Sequence, residues 1–284
     1  MVRKTERKVK DVYEGVPTLE GAGVRLKRVI GFQEAPRFDP FLLLDDFGSR
    51  NPADYLAGFP WHPHRGIETV TYMLHGTVAH GDSLGNSGEI GDGQVQWMTA
   101  GSGIIHQEMP RKQPDFLRGF QLWVNLPAAD KMMAPRYRDI RARNIPEYRS
   151  KDGLVVKVVA GRYGNLRGPV QDIVCDPEYL DVCLPAGLEF HHPVKKGHTV
   201  VAFAFEGGGT CPADGTDLRE GSLAHFGDGE SVLLGAGPSG LRFLLVSGKP
   251  IGEPVAWRGP IVMNTEEELA TAFAEYRNGT FIKT

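Results

Sequence analysis

Short apolar or alternating runs punctuate the chain: "GVRLKRVIG", "ETVTYML", "GQVQWMTA", "GFQLWVNL", "GLVVKVVAG", "VVAFAFEG", "ESVLLGAG" and "LRFLLVSG". Each is bounded by Gly, Pro, Asn or Asp, the punctuation of strands joined by turns. The pattern predicts an all-β protein built as a sandwich or barrel. One segment breaks from it. "NTEEELATAFAEYRNG" sets Thr265 and Glu268 at capping-box spacing, lines up Leu269, Phe273 and Tyr276 on one side, and stops at Asn278-Gly279. A packing helix over 266–277 is expected there.

The strand blocks show a weak internal echo. "GDGQVQWMTAG" at Gly91 to Gly101 aligns with "GDGESVLLGAG" at Gly227 to Gly237, and "ETVTYMLHG" aligns with "TVVAFAFEG". So long a period suits a duplicated β-domain and not an array of short repeats. The polar, proline-bounded stretch from Pro127 to Pro146 reads as the connector. The expected domains are therefore 1–135 and 136–284, with the helix in the second.

Composition narrows the classes. A length of 284 residues suits two medium domains, and 32 Lys plus Arg against 35 Asp plus Glu leave a charge of −3. That balance argues against direct nucleic-acid binding through bulk electrostatics. The charged opening "MVRKTERKVK" lacks the apolar stretch of a signal peptide, and no apolar run of about 18 residues predicts a membrane span. Cys175, Cys183 and Cys211 are too few for a disulfide scaffold, so a cytoplasmic setting is expected.

Candidate chemistry gathers in the first half. In "GFPWHPHRGIETVTYML", His62 and His64 are two residues apart, so an extended backbone turns both imidazoles to one face. Pro63 biases His62 toward extended geometry and, having no N–H, places the segment at a sheet edge or strand entrance. "AGSGIIHQEMP" repeats the device with His106 and Glu108. If the two segments are neighbours, three imidazoles and one carboxylate converge, a donor set for a divalent first-row metal with positions left open for substrate. These donor types admit iron, manganese, cobalt, nickel, copper or zinc. At the offsets of the echo, Pro193, Lys195, Arg242 and Leu244 stand in the second half, so that half is expected to lack metal ligands.

Other candidates are weaker. Glu68 shares strand parity with His64 and is read as a supporting group beside the ligands. His191, His192 and His198 lie in a basic turn and are expected to be mostly solvated, and exposed structural roles are expected for His75, His80 and His225. Phe59, Trp61, Met73 and Trp97 could wall a flat substrate, although core packing serves each as well.

The block "FPWHPHRGIETVTYMLHGTVAHGDSLGNSGEIGDGQVQWMTAGSGIIHQEMP" closely resembles the pirin family, double-barrel members of the cupin superfamily. "FDPFLLLDDFG" and "GKPIGEPVAWRGPIVMNTEEEL" extend the resemblance over nearly the whole chain. It implies a bicupin of two jelly-roll-like barrels with one metal, usually iron as Fe(II), in the N-terminal barrel on His62, His64, His106 and Glu108. Two departures from the general cupin pattern, Glu68 left out of the ligand set and Thr99 in place of a proline, are shared with pirins. Some pirin-like proteins are quercetin 2,3-dioxygenases, which implies a flavonol-like substrate, O2, and Glu108 as general base. Others are iron-dependent redox regulators that bind transcription factors or metabolic enzymes, which implies a protein partner instead. A monomer is expected.

Overall fold

The computed structural model describes residues 5–283, so the first four residues of the charged N-terminal stretch lie outside the described residues. The chain is almost wholly antiparallel β-structure, as expected, with one substantial helix at its end. It divides into two compact units, and each is a jelly-roll-like arrangement whose sheets remain open.

One unit holds Val16–Ala142 together with the chain from Ile251 onward. With β1 at Val9–Glu14 in the other unit, its strands are β2 Val16–Glu20, β3 Val24–Ile30, β4 Phe41–Ser49, β5 Phe59–His64, β6 Ile67–His75 and β7 Val78–Asp82. They continue as β8 Ser87–Ile90, β9 Val95–Thr99, β10 Ile104–Pro110, β11 Leu117–Asn125 and β12 Arg136–Ile140. Seven strands form one sheet in the order β12-β9-β6-β11-β4-β3-β2, and four form the other in the order β5-β10-β7-β8. β6 carries β-branched and aromatic residues, and its first seven residues are buried on both faces. That explains its nearly continuous apolar character. Thr69, Thr71 and Met73 fall on one face, and Glu68, Val70 and Tyr72 on the other.

The other unit holds the described residues up to Gly15 with Arg143–Pro250. Its core is Val156, Leu180, Val182, Phe190, Val200 and Phe243 with their neighbours. An 18-residue strand, Ser231–Gly248, pairs with Glu189–Pro193 along its first part and with Glu178–Leu184 along its second. One strand thus spans the work of β10 and β11.

The expected boundary at 135/136 needs correction. β12 lies inside the supposed connector and closes the edge of the first sheet. The two ends of the chain also exchange units: β1 pairs with Ser222–Phe226, and the terminal helix Glu266–Arg277 belongs with the first unit. Leu269, Ala272 and Phe281 bury with Ala256, Ile261 and Met263, against Ile105 of β10. Local pattern cannot show this, because pairing and packing join residues far apart in the chain.

The helix itself begins where expected, with the reciprocal Thr265–Glu268 capping box formed. Its buried face is Leu269 and Ala272, with Phe273 partly covered and Tyr276 exposed. It has only 12 residues, and among the described residues no helix is long and apolar enough to cross a membrane. The three cysteines are free.

The internal echo also needs correction. Val95–Thr99 pairs with β6, whereas the start of Ser231–Gly248 pairs with Glu189–Pro193, as β10 pairs with β5. Anchored at the strand ends, the pairs His106↔His62 and Ile104↔His64 correspond to Leu233↔His191 and Ser231↔Pro193, so of the residues the echo selects only Pro193 recurs, at the place of His64 and not of His62. His191 stands at the place of His62, but Leu233 and Pro193 offer no ligand atom at the places of His106 and His64.

Candidate metal centre

β5 contains two prolines and sits, as its sequence requires, at the edge of the four-stranded sheet. It pairs antiparallel with β10, placing Ile104 opposite His64 and His106 opposite His62. Directly opposed residues share a face, so strand parity and register together aim three imidazoles at one point. One ligand atom from each of His62, His64 and His106 lies within 4.8 Å of the others. His64 and His106 are buried, and His62 is half-buried.

Tautomers follow from the outer hydrogen bonds. His62 Nδ1 lies 2.8 Å from the Pro60 carbonyl and His64 Nδ1 3.0 Å from the Pro260 carbonyl. A carbonyl only accepts, so both Nδ1 atoms carry the proton, which in the neutral ring leaves the lone pair on Nε2. Those two Nε2 atoms face each other at 3.1 Å. Burial, reinforced by the neighbouring His62 and His106, holds His64 well below the ordinary imidazole range, which disfavours relief by protonation. Burial does the same to His106, with His62 and His80 adding to it. His106 Nδ1 meets the Tyr137 hydroxyl at 3.3 Å, and its buried Nε2 has no hydrogen-bond partner. Three imidazoles whose inner ring nitrogens converge and whose outer nitrogens are held in place fit a divalent cation.

Glu108 does not join that convergence. It is on the same face as His106, but a register shift sets it opposite Phe59, and its carboxylate is held elsewhere. Thr71 Oγ1 donates to Oε1 at 3.0 Å and Gln121 Nε2 donates to Oε2 at 3.0 Å. Trp123 Nε1 donates to Gln121 Oε1 at 3.1 Å, and since an indole N–H can only donate, it fixes which end of the Gln121 amide faces Glu108. Each carboxylate oxygen keeps lone pairs beyond the one these donors use.

A cavity of about 640 Å³ opens onto His62 and His64, within the range of small-molecule sites. Its aromatic wall is Phe32, Phe59, Trp61, Trp123 and Trp257. Trp123 lies edge-on to His64 at 5.0 Å between ring centroids, and Trp257 is 5.9 Å from Trp123 and 5.3 Å from Phe32. Arg28 and Asp45 line the same cavity, joined by bonds of 2.9 and 2.8 Å. Burial pushes the Asp45 carboxyl up to about 6 against the pull of Arg28.

Phe59 and Trp61 thus stand where the sequence suggests, whereas Met73 and Trp97 are fully buried in the core. Glu68 is turned to the opposite face from Thr71 and accepts from Thr99 Oγ1 at 2.5 Å, so it does not support the histidines directly. His80 and His225 are buried, not exposed, and His192 is buried beside Glu178 at 3.0 Å. Gln121 and Trp123 do not stand out among the candidates above, although a glutamine two residues before a tryptophan in an apolar strand is a legible signal. Trp257 and Pro260 arrive from the end of the chain and leave no local trace.

The fold and the histidine cluster define a two-domain cupin with a metal-binding type of site. More narrowly, residues 23–124 match the pirin family model and 179–282 match the pirin C-terminal cupin domain, and the chain belongs to the pirin family. It is 46% identical over 276 residues to a pirin-like protein of Caulobacter vibrioides, covering 97% of this chain and 99% of that one. Human pirin is 40% identical over 263 residues, covering 91% and 88%. The crystal structure of a quercetin 2,3-dioxygenase from Acinetobacter baumannii superposes with a TM-score of 0.91 at 31% identity, covering 98% of this chain and 99% of that chain.

Proposed function

We propose that the protein is a metal-dependent dioxygenase of the quercetin 2,3-dioxygenase type, using Fe(II) and O2 to open a flavonol or related aromatic enol. The observation that carries this reading is the cavity of about 640 Å³ with His62 and His64 in its wall and a bank of tryptophans beside them. A redox-responsive regulator that docks a protein partner would need a coupled surface, not a roomy aromatic chamber at the histidines. The named activity of the Acinetobacter baumannii relative adds support.

His62, His64 and His106 would hold the metal, with Glu108 as the fourth ligand or as a base beside it. When bound, the metal supplies Lewis acidity toward the substrate's enolic hydroxyl and redox access to O2. Trp123 and Trp257 clamp a flat ring system, and Trp61 at the rim limits access of water. Glu108 takes the hydroxyl proton, and Thr71 and Gln121 keep its carboxylate aimed. The ring then opens with incorporation of O2 and release of carbon monoxide.

The test is oxygen-dependent loss of quercetin absorbance by iron(II)-reconstituted protein, with Glu108→Gln alongside. Turnover that releases carbon monoxide and collapses in the variant is the expected result. Protein that holds one iron per chain yet leaves quercetin untouched would overturn the proposal in favour of the regulatory reading.

A further inference from the structure

The second unit has a cavity of its own, about 490 Å³, that the dioxygenase reading leaves without a role. Part of its lining is a two-stranded hairpin, Arg162–Tyr163 and Leu166–Arg167, in which Arg162 stands directly opposite Arg167. Like charges in that relation repel and destabilise a pair of strands. Both arginines are exposed, both line the cavity, and neither forms an ion pair among the described residues. Arg28 and Arg242, by contrast, each reach a buried aspartate through two bonds.

Inside the cavity several charges are already matched, and Asp172 adds a further carboxylate to the lining. Lys195 is paired with Asp176, and His192 with Glu178 at 3.0 Å. His198 also lines it, with a side chain only 9% exposed and an Nδ1 that has no hydrogen-bond partner. Among the described residues, the cationic groups of the lining with no ion pair are the two guanidiniums, and the His198 Nδ1 beside them has no hydrogen-bond partner. Guanidinium forks suit the paired oxygens of carboxylate and phosphate.

We propose that this cavity is a binding site for a small anionic molecule, whose carboxylate or phosphate group is clamped between Arg162 and Arg167. The anion turns a repulsive cross-strand pair into two charge-assisted contacts, and His198 adds a polar contact deeper in. Nothing in this site needs the histidine cluster of the first unit, so it stands or falls apart from the dioxygenase reading.

The experiment is isothermal titration of the full chain with inorganic phosphate and, separately, with succinate at low ionic strength. Saturable binding is expected, weakened about tenfold or more by Arg162→Gln or Arg167→Gln and lost in the double variant. Exposed Arg277→Gln, on the terminal helix, should leave it unchanged. Added salt should weaken the binding. Tighter phosphate binding assigns a phosphorylated ligand, and tighter succinate binding a dicarboxylate. Both arginines are at the surface, so the double variant should fold, which circular dichroism checks. Failure of both probes to saturate, or saturation that survives in the folded double variant, would overturn the proposal.

Discussion

Glu275→Gln tests how the end of the chain supports the histidines. Arg65 directly follows His64, and its side chain is only 3% exposed. Its guanidinium donates to the Ser102 carbonyl at 2.7 Å, the Phe281 carbonyl at 2.8 Å and Glu275 at 2.7 Å, with the Phe281 ring 4.2 Å away. Taking one partner from a buried ion pair costs about 3–5 kcal/mol. Here Arg65 keeps two carbonyls and a ring, and Glu275 is itself 25% exposed and screened by solvent. The expected loss is therefore smaller, about 2 kcal/mol, or a fall in Tm of about 6 °C for a domain of this size. The glutamate's carboxyl is held below its ordinary value by Lys283 and, against some desolvation, by Arg65. A depressed folded pKa means the contribution is whole above the unfolded glutamate's 4.5 and fades as the pH falls through the folded value. Urea unfolding followed by circular dichroism from pH 3 to 8 should thus show a constant gap between wild type and variant at neutral pH that closes in acid. A loss below about 0.5 kcal/mol at pH 7 would show that the carbonyls alone satisfy Arg65 and that the helix is not anchored by this pair.

Other outcomes follow from the same geometry. His62→Ala and His106→Ala should each leave a folded protein that retains under about a tenth of the metal bound by wild type, read by elemental analysis after dialysis. Trp257→Ala, removing an aromatic wall at the cavity, should raise KM for quercetin about tenfold with a smaller change in kcat. His75, raised above the ordinary imidazole value chiefly by its bond to Asp115, should titrate lower in Asp115→Asn by proton NMR. Its stabilising contribution is complete below the unfolded pKa and is lost as pH rises through the folded one. Lys131→Met should cost about 2 kcal/mol in urea, because the buried ammonium donates to the carbonyls of Gly66 and Val262 and to Asn125 Oδ1.

Much of the site is legible in the sequence. Strand parity alone turns His62 with His64 and His106 with Glu108, since side chains two apart in a strand share a face whatever the fold around them. Proline chemistry places β5 at an edge, and capping chemistry places the helix to the residue. These are local constraints, settled by the backbone within a few positions. Alternation fails where both faces of a strand are buried. β6 and β9 give no sign of which side meets the cavity, so Met73 and Trp97 pass for wall residues when they are core.

What only the tertiary structure decides depends on partners distant in the chain. The register of β5 on β10 brings His106 to His62, and its shift at Glu108 hands that carboxylate to Thr71 and Gln121. Pro260 fixes the tautomer of a histidine almost two hundred residues before it. The exchange of chain ends between units follows from hydrogen bonds and burial across the fold, as with β1 on Ser222–Phe226. Residue type and spacing determine which faces a strand can offer. Which face meets which, and how closely, is set by the free energy of packing the whole chain at once.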